Sequence, residues 1–466
     1  MLAQFIASAN SALYSYVLII LLAIGGLYFT VRTKGVQFTT LKEQIRLVTE
    51  KPESGKGVSP FQALMVSTAS RVGTGNIIGV STAICLGGFG SVFWMWVIAL
   101  IGCASAFVES TLAQIYKKRG KEGCYGGPAY YIEAALKCRP LAIVFSILLI
   151  LTYGVGFNML ASYNLQSTFS AYDFYNPTVT PWIIGAILAV LVAYCLFGGG
   201  KRLLKITGVI VPVMGVAYIL IALLVMLLNV TTLPTVFGRI FAQAFDFRAI
   251  LGGLSGSCLT YGIKRGLFSN EAGVGSAPNA SASAEINHPA KQGLVQILSV
   301  FIDTILVCSA TAFMCMCSGI EPSEALSGAP YVQASLSATL GGFGPVFITV
   351  AMILFAFTTL LGNLYYVNQA FSHILGHTPR KRFNCVYYMI ASGLVFLGAG
   401  LSAGLLWDVA DLMMGLMTLI NMPVILYLSR YAFRALHDYK KQKKAGLQPS
   451  FRASDVGITD NLDYWQ

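Results

Sequence analysis

Two stretches of this 466-residue chain set polar and charged side chains among glycines inside apolar runs. The first is Ser70-Arg71-Val72-Gly73-Thr74-Gly75-Asn76. An unwound turn at membrane depth frees backbone N–H and C=O groups that lipid cannot satisfy. N–H groups opening a half-helix suit a carboxylate, because orphan donors and the helix dipole both favour an anion. Carbonyls ending the preceding half suit a hard cation such as Na+. Glycine lets a ligand approach the backbone closely, while Thr74 and Asn76 add side-chain donors and acceptors. The second stretch runs from Tyr261 to Gly273 and includes Gly262, Lys264, Arg265, Gly266, Phe268, Ser269, Asn270 and Glu271. Either Lys264 and Arg265 mark the cytoplasmic end of a helix, or the chain is broken near 262–270 and Glu271 to Ala284 forms a second half-helix. The run of small residues from Gly273 to Ala284 favours the break. Arg71, Arg265 and Glu271 are then intramembrane charges, which are costly and usually functional. They read as gate or structural charges, with a Glu271 bridge to Arg71 or Arg265 lowering the burial cost.

Other chemistry is sparser. Thr358 and Thr359 put adjacent hydroxyls in an apolar run, where either can bond back to its own helix. Glu109 and Asp303 are further acids within apolar runs, and Asp303 is a candidate proton carrier. Asp408 and Asp411 read as residues favouring a helix N-terminus. His373 and His377, four apart, read as solvated interface histidines. The ten Cys show no CxxC or Cys/His metal spacing, so they read as small core residues. No GxSxG or HExxH pattern is present, and the chain is not expected to be an enzyme. No cofactor is expected.

The elements that must position these residues follow from composition. Hydrophobic residues make up 56% and charged residues 11%, against roughly 25% charged in soluble domains. With mean hydropathy +0.70, there is too little polar surface for a soluble body. Eleven apolar segments predict an all-α polytopic membrane protein: α1 near 12–31, α2 60–86, α3 90–116, α4 140–163, α5 181–198, α6 205–229, α7 249–286, α8 290–318, α9 343–373, α10 383–403 and α11 406–430. Thr235 to Arg248 is amphipathic and expected on the membrane surface. The N-terminus lacks a basic region and cleavage site, so α1 reads as a retained span.

Net charge is +12, and its placement follows topology. Loops 32–58 and 117–139 hold six Lys or Arg each, whereas 87–90, 164–180, 319–342 and 404–405 hold none. Basic loops belong in the cytoplasm, which puts the N-terminus outside and the C-terminus inside. The charge is thus accounted for by orientation and contact with the lipid bilayer, not by nucleic acid. Ten spans after α1 divide five plus five. Five is odd, so the second group enters from the opposite side, and each group opens on a Gly-interrupted span. That is the pattern of an inverted repeat around a midplane site. The expected division is 1–58 (extra span and cytoplasmic amphipathic linker), 59–229 (first repeat, broken near 72–76), 230–430 (second repeat, broken near 262–270) and 431–466 (basic cytoplasmic tail).

Three stretches carry a family resemblance. The run Gly87 to Gly102, Arg265 to Pro278 and Val72-Gly73-Thr74-Gly75-Asn76 resemble motifs of the alanine or glycine:cation symporters, the sodium:alanine symporter family, and the likeness extends over nearly the whole chain. Membership implies a LeuT-like 5+5 inverted repeat preceded by one extra helix, and secondary transport across the bacterial cytoplasmic (inner) membrane coupled to Na+ or sometimes H+. Carried onto this sequence, it implies a substrate site from Gly73, Thr74, Gly75, Asn76, Gly266, Phe268, Ser269 and Asn270. It also implies sodium, as co-substrate, on the Ala69 and Val72 carbonyls and the Thr358 and Thr359 oxygens. Ser91 is a mild departure from the signature; Ala161, Tyr163 and Asn363 are stronger ones, so the pocket is expected to differ in size and polarity. The resulting expectation is a symporter importing a small neutral amino acid, alanine or glycine, with sodium by alternating access. Glutamine, D-alanine or serine as substrate and proton coupling are alternatives within transport. A channel or a non-transporting sensor is the rival class.

Overall fold

The computed structural model describes residues 2–52, 57–120, 123–246, 257–458 and 462–465. It is a helical bundle with one small antiparallel hairpin, β1 (Lys118–Gly120) and β2 (Gly123–Tyr125). Helix α1 runs Leu2–Ala12, widens into a π-turn at Leu13–Val17 and continues Leu18–Arg32. Two short helices, Val36–Thr39 and Leu41–Val48, follow it. The first half of α2 is Pro60–Arg71, and Ser59 and Gln62 start it with reciprocal side-chain caps. Its second half is a π-turn, Gly75–Gly79, followed by Val80–Gly87. The next spans are α3 (Gly90–Ile115), α4 (Arg139–Leu149, π-turn Ile150–Gly156, Phe157–Ser167), α5 (Thr180–Leu196) and α6 (Gly199–Leu228). Then come α8 (Pro289–Val300, π-turn Phe301–Cys308, Ser309–Met316), α9 (Phe343–Leu375), α10 (Lys381–Ala399) and α11 (Ala403–Lys444). Among the described residues, eight helices are long and apolar enough to cross a membrane, and Gly75–Gly87 and Thr180–Leu196 are shorter apolar helices.

Helix α7 corrects an expectation. Residues 249–256 of the expected span lie outside the described residues. From Cys258 the helix is continuous to Asn270, so there is no break near 262–270. Gly262 and Gly266 instead form a packing stripe. A Cβ on Gly262 would lie 2.5 Å from the Ser91 carbonyl oxygen, and one on Gly266 2.5 Å from Ile98. Small residues four apart let α7 approach α3 closely. The chain unwinds one turn later: Glu271 caps the helix at φ 51°, and Gly273 (φ 87°) and Gly275 (φ 92°) follow. Only glycine adopts such backbone freely, so the turn forms there. In place of a long second half-helix stands one turn, Pro278–Ser281.

Helix α3 is the central post, packed against both α7 and α8. Helix α9 packs on α2, α4 and α6, while α10 packs on α4 and α5. The surface helix expected between α6 and α7 is Leu233–Ala244, with Phe237, Phe241 and Phe245 exposed; Phe247 and Arg248 of that stretch lie outside the described residues. The boundary expected at 431 falls inside α11. Beyond α11 the chain folds back, and Trp465 is buried, donating from Nε1 to the Gln114 carbonyl (2.8 Å).

Candidate functional site

The break in α2 is built by Asn76. Its Oδ1 accepts from the Gly73 N–H (2.8 Å), and the Asn76 N–H donates to the Gly73 carbonyl (3.1 Å). Its Nδ2 donates to Ser269 Oγ (3.0 Å) and Asp303 Oδ1 (2.7 Å). Asp303 Oδ2 accepts from Ser269 Oγ (2.6 Å) and Thr304 Oγ1 (2.8 Å). One side chain thus joins the α2 break, the end of the α7 helix and the π-turn of α8. Asp303 is fully buried and has no basic partner within ion-pair distance among the described residues.

Gly73, Thr74 and Gly75 line a buried cavity of about 20 Å³ together with Arg71, Phe268, Glu271 and Thr359. A water needs roughly 10–15 Å³ of such space, so the cavity fits one water-sized body and not an amino acid. The Thr359 hydroxyl is buried without a hydrogen-bond partner among the described residues. A Cβ on Gly73 would lie 2.1 Å from it, so only glycine permits this approach. The Thr358 hydroxyl is turned elsewhere: it donates to the Leu354 carbonyl (2.9 Å) and lies 3.6 Å from Met214 Sδ. The structure therefore brings Thr359, not Thr358, to the break.

Phe268 does line the cavity, but Gly266 faces Met95 and Ile98 of α3. Ser269 is held by Asp303, and Asn270 Oδ1 accepts from the Ala272 N–H (3.0 Å), ending the helix. Ala69 and Val72 are buried at the close of the first half of α2. Ala161 lines the cavity, whereas Tyr163 lines a larger vestibule. Asn363 lies beside neither; it accepts from Ser70 Oγ (2.6 Å) and donates to Asn158 Oδ1 (3.0 Å), tying α2, α9 and α4 together.

The vestibule, about 460 Å³, opens between the 164–180 and 319–342 segments and is floored by Arg265 and Trp407. A stack of aromatics separates it from the cavity: Phe157 to Phe268 (4.7 Å between centroids) and Phe268 to Trp407 (4.8 Å). The Arg265 guanidinium sits 4.1 Å over the Trp407 ring and 3.3 Å from Asp411, which Lys264 also meets at 2.8 Å.

The expected bridge from Glu271 to Arg71 or Arg265 is not among the ion pairs of the described residues. Arg71 lies 3.9 Å from Glu109, Arg265 is taken by Asp411, and Glu271 accepts from Ser276 Oγ (2.6 Å). Asn421 Nδ2 donates to Glu109 Oε2 (3.1 Å) and to the Gly273 carbonyl (2.9 Å), satisfying the unwound strand of α7. Asp411 is therefore no helix-terminus residue. It lies in the third turn of α11, buried, as the counter-charge of α7. Nor is His373 solvated; it is buried and bonds Glu133 (2.7 Å) and Ser146 (3.1 Å). Reasoning from sequence missed Trp407, Phe157 and the role of Asp411. An acid inside an apolar run must find a partner, and that signal was present at Asp411.

The chain matches the sodium:alanine symporter family over residues 1–453. It is 44% identical to "Amino-acid carrier protein AlsT" of Bacillus subtilis, over 97% of this chain and 96% of that one. It is 42% identical to "Probable sodium/glutamine symporter GlnT" of the same organism, over 100% and 96%. "Sodium/alanine symporter AgcS" of Methanococcus maripaludis is 36% identical over 91% and 94%. Among solved structures, that of MhsT in complex with L-phenylalanine aligns with TM-score 0.51 and 16% identity, over 89% and 94% of the two chains, a likeness of fold.

Proposed function

Because the chain belongs to the sodium:alanine symporter family, we propose that it imports a small neutral amino acid, alanine first, together with sodium across the cytoplasmic membrane by alternating access. The observation that carries this reading is the buried, unpartnered Thr359 hydroxyl aimed at Gly73, where α2 is unwound beside a cavity of ion size. The last carbonyls of a helix lack intrahelical donors. Those of Ala69 and Val72, with Thr359 opposite, supply the hard oxygens that sodium prefers. The amides opening the second half of α2, from Thr74 and Gly75, are the donors for a substrate carboxylate. The Phe268 ring lies against Gly75.

The cycle follows from this arrangement. Sodium joins α2 to α9 and favours the state that accepts substrate; sodium and substrate affinities must then couple reciprocally. The Phe157–Phe268–Trp407 stack and the Arg265–Asp411 pair form the gate under the vestibule. With the basic loops cytoplasmic, the vestibule faces outward and the N-terminus lies outside. Eleven crossings result when α2, α5 and α7 span with the eight longer helices. The two repeats are 59–229 and 230–430, with their unwound turns at Val72–Gly73 and Glu271–Gly275. A second reading, proton coupling at Asp303, is favoured by that buried carboxylate's lack of a basic partner. Glutamine is the alternative substrate.

The test is radiolabelled alanine uptake into proteoliposomes under an imposed sodium gradient and, separately, a proton gradient. Saturable uptake driven by sodium is expected. Uptake driven by protons alone would replace sodium with Asp303 chemistry. Absence of alanine uptake under both gradients, with glutamine uptake present, would replace the substrate.

A further inference from the structure

Away from the transport path, the linker after α1 and the far end of α11 enclose a second cavity, of about 560 Å³. Lys42, Lys440 and Lys443 line it together with Phe38, Leu41 and Leu294. Among the described residues Glu43 is the one acid in its wall, and it is already neutralised: Arg46 holds it at 2.7 Å, and Lys443 and Tyr439 also donate to it. Lys34 lies close enough to act on Lys440 by like-charge repulsion. Lys34, Lys42 and Lys440 have no acidic partner within ion-pair distance among the described residues. Arg46 and Lys443 thus share the Glu43 carboxylate, while Lys42 and Lys440 line the cavity without an acidic partner among the described residues. Such a concentration of positive charge is unfavourable unless an anion shares it.

The apolar side is equally unfinished. Helix Leu41–Val48 buries Gln44 and Leu47 against the protein and turns Leu41 and Ile45, one helical turn apart, outward. Phe38 is 63% exposed and Ile45 57%. In sequence they follow the exposed apolar residues of α1, the last of which is Val31. Lysines beside exposed apolar side chains complement a molecule that is anionic at one end and hydrocarbon at the other.

We propose that this pocket holds the headgroup of an anionic phospholipid, with its phosphate on Lys42 and Lys440 and its acyl chains along Phe38, Leu41 and Ile45. The exposed apolar strip is what distinguishes a lipid from a free phosphate as occupant. A lipid seated there clamps the linker, which leads into α2, against the ends of α8 and α11.

The test uses the full chain in a neutral detergent, titrated with phosphatidylglycerol or phosphatidylcholine and read by native mass spectrometry. Wild type is expected to retain phosphatidylglycerol in preference to phosphatidylcholine. The Lys42→Gln/Lys440→Gln double variant should weaken this by roughly thirtyfold, from about 1 kcal/mol per lysine near an anionic headgroup. Lys42→Arg, which keeps the charge, should bind as wild type does. Phe38→Ser should weaken lipid binding, and sn-glycerol 3-phosphate should not displace the lipid. Equal retention of the two lipids, or an unaffected double variant, overturns the proposal. Displacement by glycerol 3-phosphate at equal concentration overturns the lipid in favour of a soluble phosphate. All of these side chains are exposed, so each variant should keep wild-type sodium-driven uptake in phosphatidylcholine vesicles, which establishes that it is folded.

Discussion

At Thr359 the sodium reading rests on one oxygen. Thr359→Val keeps the shape and removes that oxygen, so the sodium concentration for half-maximal uptake should rise about tenfold, the loss of about 1.4 kcal/mol. Uptake at saturating sodium should stay near wild type. Thr358→Val should change sodium dependence little, because its hydroxyl is bonded within α9. A sodium titration of uptake separates the two, and equal effects would remove the distinction drawn from their geometry. That distinction was not legible in the sequence. Neighbouring helix positions point about 100° apart, and which one meets Gly73 depends on how α9 rotates against α2. The interruption of α2 at Val72 and Gly73 was legible, because glycines beside polar residues in an apolar run favour a broken helix over plain helix packing. Asp411 was misread for the opposite reason: its partner Arg265 is 146 residues away, and no local pattern encodes that meeting.

The two glycine-rich stretches looked alike as sequence and became different elements. In α2 the glycines sit at the break. In α7, Gly262 and Gly266 sit inside an intact helix, and the break falls at Glu271 to Gly275. Spacing alone does not separate the cases. A Gly-xxx-Gly stripe needs a facing helix to be recognised, and here the face is supplied by Ser91, Met95 and Ile98 of α3. The packing assignment makes a ranked prediction. Gly262→Ala drives a methyl against the Ser91 backbone carbonyl, whereas Gly266→Ala meets first the Ile98 side chain, which can turn aside. Overpacking of this kind costs about 1–3 kcal/mol, so both variants should unfold at lower temperature in detergent, Gly262→Ala more so. An alanine at 262 that leaves the melting temperature unchanged while altering alanine KM would return that position to a substrate-facing break.

On the scale of the whole molecule, the bundle and its dominant spans were readable because bilayer thickness sets helix length. The face that carries the C-terminal segment was not, because it is closed by residues from the far end of the chain. Trp465 bonds Gln114 across 351 positions, Tyr464 lies under Lys117 at 3.8 Å, and Phe451 packs edge-on against His288. His288 caps α8 through Nδ1 and reaches Asp438 of α11 through Nε2 (3.3 Å). Burial pushes its pKa down from the ordinary 6.5 to about 4, more than its bond to Asp438 raises it. The packed state therefore holds His288 neutral, while an opened or unfolded state titrates near 6.5. Between those values the opened state binds more protons, so the closed face loses stability as pH falls from about 6.5 to about 4. Amide exchange across 278–290 should accelerate as the pH drops from about 7 to about 5, beyond the intrinsic change in exchange chemistry. His288→Asn retains a capping acceptor without a titrating ring, and should flatten that dependence. Were the same slope to persist in His288→Asn, another group would be loosening this face, and the contact of Phe451 with His288 would carry packing alone.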